Sequence, residues 1–214
     1  MKIKALKAFT VRDSETGDLS SIAYGAIADV SDTLGQSLIE DGLAEAYDVG
    51  SNDENFKKAV DKSITSITAD ILEGVTNIRS GAFRGCTSLA SIGMPNSVTS
   101  IGASAFYECS SLASIEIPNS VTSIEGSAFR GCTSLTSIEI PNSVTSIGNH
   151  AFRDCTSLAS VTVLATTPPT LGGTSVFSST SSALVIYVPA ESVNAYKAAT
   201  NWSNYGSNIQ AIPS

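Results

Sequence analysis

Large apolar side chains return along this chain at a fixed interval. Phenylalanines stand at 83, 106, 129 and 152, cysteines at 86, 109, 132 and 155, and leucines at 89, 112, 135 and 158, each series stepping by 23 residues. Ile92, Ile115, Ile138 and Val161 follow in the same register. Residues 101–123 and 124–146 agree at 17 of 23 positions. Within a unit, the segment Ser-Leu-x-Ser-Ile-x-Ile-Pro alternates polar and apolar residues, which is the period of a strand with one buried face. Proline ends that strand because it brings no N–H to a ladder. Asn96, Asn119 and Asn142 follow as turn formers. Val98, Val121 and Val144, then Ile101, Ile124 and Ile147, carry the return side, and Ala-Phe closes the coil. A unit this small cannot bury its apolar side alone. The pattern therefore predicts a stack of coils sharing one continuous core.

Residues 1–50 do not share the period. Ile3, Leu6 and Phe9 lie in one β-prone run, Ile22, Tyr24 and Ile27 in a second, and residues 43–49 read as a closing strand. Ser31 is a good N-cap for a short helix in which Leu34, Leu38 and Ile39 share a face, with Gly42 able to end it. The expected module is ββαβ. Residues 51–62 read as a hinge, with a turn at Gly50-Ser51-Asn52-Asp53 and a short helix over 56–62. Residues 63–77 fit the repeat if two extra residues are allowed, and form a degenerate half-repeat that caps the start. Four full repeats occupy 78–163. After Val163 the period dissolves into a loop-rich stretch, TTPPTLGGTSVFSSTSS. A strand at 183–188 and a helix from about 190 to 200 follow, and Trp202 and Tyr205 fold back over the open end. Residues 164–214 are thus the expected C-terminal cap, covering backbone groups that would otherwise be unpaired. The fold class is an α+β module followed by a β-rich solenoid of 23-residue repeats with a strand–helix cap.

Charge narrows the partners. The chain of 214 residues carries a net −8. Residues 1–60 hold 6 basic and 11 acidic side chains, and the remainder holds 6 and 9. Neither half has the basic stripe that phosphate neutralisation needs, so nucleic acid is not expected. No apolar run reaches the roughly 18 residues of a membrane span, so no membrane is expected either. The opening MKIKALKAFTVRDSE is positively charged without an apolar stretch behind it, and does not read as a secretory signal peptide. A chain whose leader had been removed would look the same.

The four cysteines fall at one equivalent position per unit, so they should form a column with neighbours about 4.8 Å apart. That spacing does not itself exclude disulfides. Beside the Phe and Leu columns, each reads as a small buried hydrophobe with a free thiol. A zinc site is not expected, because there is no CxxC pair and His150 is the only histidine. No cofactor is implied.

Catalytic constellations are sparse. A nucleophilic triad needs a histidine with a positioned acid, whereas His150 stands alone in the variable part of its unit and reads as a surface residue. Glu116 and Glu139 lie one repeat apart and project from the strand face into water. With two carboxylates and flanking serines they read as a solvated acidic patch rather than a cation site. No phosphate loop or dinucleotide fingerprint is present. An enzyme is not expected. The recognition surface is then reached by subtraction. Ser91, Ser114, Ser137 and Ser160 face outward from the strands, with Gly93, Glu116, Glu139 and Thr162 beside them. A second variable column, Arg84, Tyr107, Arg130 and Arg153, follows the phenylalanines. Tyr and Arg are the side chains most enriched in binding hot spots, which makes this column the first candidate. Solubility alone would also account for three arginines.

The pattern VTSIGxxAFxxCxSLxSIxIPNS, purest at 121–143 and 144–163, resembles the BspA-like, treponemal-type leucine-rich repeat. The ending IYVPAESVNAYKAATNWSNYGSNIQAI is similar to the terminal segment of such arrays in gut bacteria. The resemblance covers about residues 63–214. It implies a right-handed solenoid with a parallel sheet on one face, and non-enzymatic roles in surface adhesion through protein or glycan. Residues 1–50 resemble instead a short module of small head-associated proteins in tailed phages, by a basic first strand, a Gly before the second, a helix and Gly-Leu-Ala-Glu. Joined, the two resemblances imply a non-enzymatic virion structural protein, a capsid decoration or head fibre. Residues 1–50 would hold capsid or other virion proteins, and the solenoid would meet a surface protein or glycan. Such a protein assembles in the host cytoplasm and is exposed outside on the virion. The alternative is an exported BspA-like adhesin, at the cell surface or secreted. Homo-oligomerisation stays open in both.

Overall fold

The repeat columns become stacked rows in a computed structural model of the chain, which describes the backbone of residues 2–5, 9–12, 19–22, 27–29, 44–46, 65–72 and 75–213. Two compact units result, Met1–Asp61 and Lys62–Ser214.

In the first unit, β1 (Lys2–Ala5) lies between β4 (Ile27–Asp29) and β5 (Ala44–Ala46), antiparallel to both, with Ile3 opposite Ala28 and Ala46. β2 (Phe9–Arg12) and β3 (Leu19–Ile22) form a separate antiparallel pair, with Phe9 opposite Ile22. Each run read as one strand is therefore two strands with different partners. The reason is visible in the spacing: Ile3, Leu6 and Phe9 step by three, and a strand keeps a face only at steps of two. β5 falls inside the expected closing strand. The helices expected after Ser31 and over 56–62 lie outside the described residues.

The second unit is built of coils. β7 (Asn77–Ile78), β9 (Ser100–Ile101), β10 (Ser123–Ile124), β12 (Ser146–Ile147) and β14 (Thr170–Leu171) form one parallel sheet in that order. Its register sets Ile78, Ile101, Ile124, Ile147 and Leu171 in line. β11 (Ser137–Ile140), β13 (Ser160–Val163), β15 (Val185–Val188) and β16 (Ile209–Ala211) form a second sheet, with Ile138, Val161, Ile186 and Ile209 in line. β6 (Ser66–Ile67) pairs with β8 (Ser91–Ile92), 25 positions on, which is the repeat plus the two extra residues. Between β8 and β11, residues 114–117 keep the alternation of exposed and buried side chains but join no ladder. A strand in every coil was expected. The segment is unpaired on both sides; like charges on Glu116 and Glu139 oppose pairing on one of them, while Glu116 has Gly93 as its counterpart on the other.

The third side of each coil is a turn around the phenylalanine. Here the N–H groups donate forward, from Phe83 to the Ala105 carbonyl at 2.7 Å and from Phe106 to Ala128 at 2.7 Å. Beside the isoleucine column they donate backward, from Gly102 to Ile78 at 2.7 Å. Each coil is thus bonded to both neighbours. The turn requires left-handed backbone at two columns. The first holds Gly81, Ser104, Ser127 and His150, with φ of 66, 55, 57 and 61°, and the second holds Gly85, Glu108, Gly131 and Asp154, with φ of 72, 58, 76 and 62°.

Inside, the rings of Phe83, Phe106, Phe129 and Phe152 stack with centroids 5.2, 5.2 and 5.3 Å apart and planes within 12°. Phe177 continues the stack at 5.5 Å. The stretch read as loop-rich therefore carries a further coil. Its Leu171 pairs 24 positions after Ile147 and its Ile186 pairs 25 after Val161, so a search at the fixed period misses it. Phe177 then meets Trp202 at 6.1 Å and the edge of Tyr205 at 5.3 Å. The expected C-terminal helix is a 3-10 turn (Ala190–Ser192) running into α1 (Val193–Ala198).

Phe129 is fully buried, and Phe129→Ala should cost about 3–5 kcal/mol in chemical denaturation. A melting temperature close to wild type would show that the ring column is not core. Gly102 and Gly131 should respond differently to alanine. A Cβ on Gly102 would lie 2.6 Å from the Ser80 nitrogen and 2.7 Å from the Arg79 carbonyl carbon, whereas one on Gly131 meets only the Glu108 side chain and backbone at 3.4 Å and beyond. Gly102→Ala is expected to cost about 3 kcal/mol, and Gly131→Ala about 1 kcal/mol from its left-handed backbone. The reverse order would contradict the close approach of the coils.

Candidate functional site

The residue after each buried phenylalanine sits on the outside of the turn, so Arg84, Tyr107, Arg130 and Arg153 form a row one coil apart. The Tyr107 ring lies between guanidinium groups from the coils before and after it, with Arg84 Cζ 4.8 Å and Arg130 Cζ 5.6 Å from its centroid. Cation–π contacts of this exposed kind are worth about 0.5–1 kcal/mol each. Arg130 Nε donates to Asp154 Oδ2 at 3.0 Å, and Arg153 Nε lies 3.6 Å from the same oxygen. That second distance is an ion pair without a hydrogen bond, and the Arg153 Nε is buried without a hydrogen-bond partner. These groups are about one-third exposed, so the pairs add little stability. They do fix orientation. The row becomes one ridge of alternating cation, aromatic ring, cation and carboxylate. Asp154 joins it, a residue that sequence reasoning did not single out. The signal was its place in the left-handed column, where short polar side chains are tolerated.

Glu116 and Glu139 lie elsewhere, on the strand side, both exposed. Neither has an ion pair among the described residues, and no contact joins them to the ridge. Glu139 stands beside Thr162 in the ladder, followed by Tyr187 and Gln210. His150 occupies a left-handed turn position and is half-buried. Among the described residues no group of three His, Cys, Asp or Glu side chains could hold a metal ion, and no helix is long and apolar enough to cross a membrane. The surface thus presents guanidinium donors and a ring face on the ridge and carboxylates at Asp154, Glu116 and Glu139.

The cysteines are all free thiols and all buried. Three of the thiols donate a hydrogen bond to the coil before. Cys109 Sγ donates to the Phe83 carbonyl at 3.0 Å, Cys132 to Phe106 at 3.2 Å and Cys155 to Phe129 at 3.0 Å. The same carbonyls accept the N–H of the cysteine three residues on, in their own coil. One phenylalanine carbonyl thus ties two coils together, which explains the fixed Phe-x-x-Cys spacing. Burial pushes Cys109 and Cys155 up to about 12, with the neighbouring Cys86 thiol adding to the rise at Cys109. Burial raises Cys132 as well.

The chain belongs to the BspA type leucine-rich repeat family, whose repeat region matches in six copies over residues 52–189. Among solved structures, the T. pallidum leucine-rich repeat protein is 32% identical with a TM-score of 0.53, over 62% of this chain and 61% of that one. A leucine-rich cell surface protein of Faecalibacterium prausnitzii A2-165 is 26% identical with a TM-score of 0.52, over 97% of this chain and 41% of that one. The pneumococcal vaccine antigen PcpA, at 20% identity and a TM-score of 0.51, shares the fold, over 69% of this chain and 40% of that one. The chain therefore spans about three-fifths of the first protein and two-fifths of the second. The curated proteins contain no match. The expected likeness of residues 1–50 to a phage head-associated module draws no support from these matches.

Thiol titration of the folded chain near neutral pH should detect no reactive cysteine, and four after denaturation. Two disulfides would remove the donor role. For an acid whose folded pKa is raised, the neutral form carries the stability. That contribution is complete below the ordinary thiol value of 9.0 and is lost as pH climbs through about 12. Urea midpoints should therefore fall between these limits, and less steeply in Cys109→Ala.

Proposed function

We propose that this chain is the non-enzymatic, ligand-binding part of an exported bacterial cell-surface protein, an adhesin-type repeat array recognising a host protein or glycan. The observation that carries the reading is the likeness to a leucine-rich cell surface protein across 97% of the chain. The family assignment agrees with it. It displaces the virion assignment as the favoured one. The ridge of Arg84, Tyr107, Arg130 and Arg153 is the proposed recognition surface, because it combines hot-spot side chains with fixed orientation. Glu116 and Glu139 on the strand side are the proposed second contact, suited to a basic group.

Two measurements test this. Antibodies against residues 62–214 should label intact cells of the source bacterium. Labelling confined to phage particles would restore the virion reading. In a binding screen against extracellular proteins and glycans, Tyr107→Ala or Arg130→Ala should weaken the ligand found by about tenfold or more, the size of a hot-spot loss. Unchanged affinity in both variants would move recognition off the ridge.

A further inference from the structure

Where the repeat period breaks, the surface holds a cavity of about 400 Å³, between the turn of the last regular coil and the loop over 164–169. That volume lies within the roughly 300–1,000 Å³ of small-molecule sites. Its floor is apolar and buried, made of Val144, Ala165 and Pro169. Its rim is exposed and uniformly neutral, carrying Asn142, Thr145, Thr166, Thr167 and Thr170.

The cavity is held open from beneath. The buried Tyr196 hydroxyl donates to the Ala165 carbonyl at 2.7 Å, and the buried Trp202 indole N–H donates to the Pro169 carbonyl at 2.7 Å. Pro168 and Pro169 restrict the loop's φ angles, and the Thr170 N–H donates to the Thr145 carbonyl at 2.9 Å. These contacts pin both ends of the loop to the core, so the shape exists before any ligand arrives.

The lining selects a ligand class. A charged ligand would lose water and meet no counter-charge. A purely apolar ligand would leave the rim unpaired against it. Hydroxyl and amide groups both donate and accept. Thr145 directs its proton to the Thr122 carbonyl at 3.2 Å, while the side chains of Asn142, Thr166, Thr167 and Thr170 have no hydrogen-bond partner among the described residues. A floor of methyl and pyrrolidine carbon under a ring of neutral donor–acceptors matches a compact polyol with hydroxyl edges and a C–H face. We propose that this cavity binds a neutral sugar residue, free or at the end of a glycan. The site shares no residue with the ridge and goes beyond the function proposed for it, so either can fail alone.

The test is an amide-shift titration of the full chain with glucose, galactose, mannose, N-acetylglucosamine and their short oligomers. Glucuronic acid and inorganic phosphate serve as charged probes. At least one neutral sugar should give saturable shifts clustered at Asn142, Thr166, Thr167 and Thr170. Thr167→Val and, independently, Asn142→Ala should each weaken it by about tenfold, with thermal transitions unchanged because both side chains are exposed. Tyr107→Ala should leave sugar binding intact. The proposal is overturned by the absence of saturable shifts with every neutral sugar, by shifts elsewhere on the chain, by binding of the charged probes alone, or by affinity that both cavity variants preserve.

Discussion

Every side chain in this array must tolerate its counterpart one coil away, at a strand spacing of about 4.8 Å. The register enforces it: Ser123 stands between Ser100 and Ser146, and Ile124 between Ile101 and Ile147. A residue type can fill a column only if it is compatible with itself at that distance. Phenylalanine qualifies because offset rings attract, and the observed centroid spacing of 5.2 Å is that of an offset stack. Cysteine qualifies because its thiol bonds to the carbonyl of the coil before. Serine qualifies by the same device, Ser97 donating to Val75 at 2.8 Å, Ser120 to Val98 at 2.6 Å and Ser143 to Val121 at 2.7 Å.

Ions fail that condition, and the placement of charge follows from their failure. Glu108 has Gly85 and Gly131 as its column neighbours, and Glu125 has Gly102 and Gly148. In the row after the phenylalanines, Tyr107 separates Arg84 from Arg130, and Asp154 bridges Arg130 to Arg153. Glu116 and Glu139 stack without such relief, and the strand ladder is interrupted between those coils. The ridge proposed for recognition is thus also the solution to an electrostatic problem. Its alternation of cation and ring keeps like charges apart before any ligand is considered.

What the sequence made legible was whatever repeats identically. The Phe, Leu, Ile and Cys columns and the alternation of the strands all followed from spacing. Hidden features had other causes. The left-handed columns hold Gly, Ser, His, Glu and Asp in turn, because the backbone there is fixed by hydrogen bonds from both neighbouring coils and the side chain is free to vary. The cysteine's role as a donor was invisible because a thiol and a small hydrophobe look alike in a pattern. The coil around Phe177 was missed because inserted residues shift its columns by one or two positions. Of the candidate site, the four residues of the ridge were legible as a variable column. Asp154 was not, since its partner Arg130 lies 24 residues away in another coil.

Identical coils present identical surfaces, so a strictly periodic array has no address at which a ligand would prefer one coil over the next. Specificity must come from departures. Tyr107 is one, a single aromatic ring in a row of arginines. The loop over 164–169 is another, where Pro-Asn-Ser gives way to a longer segment held by Tyr196 and Trp202. The aromatics that close the core are the same ones that fix this loop, which couples the end of the stack to the shape of the cavity beside it. A change that loosened the terminal packing would therefore reach the cavity directly, through the carbonyls of Ala165 and Pro169.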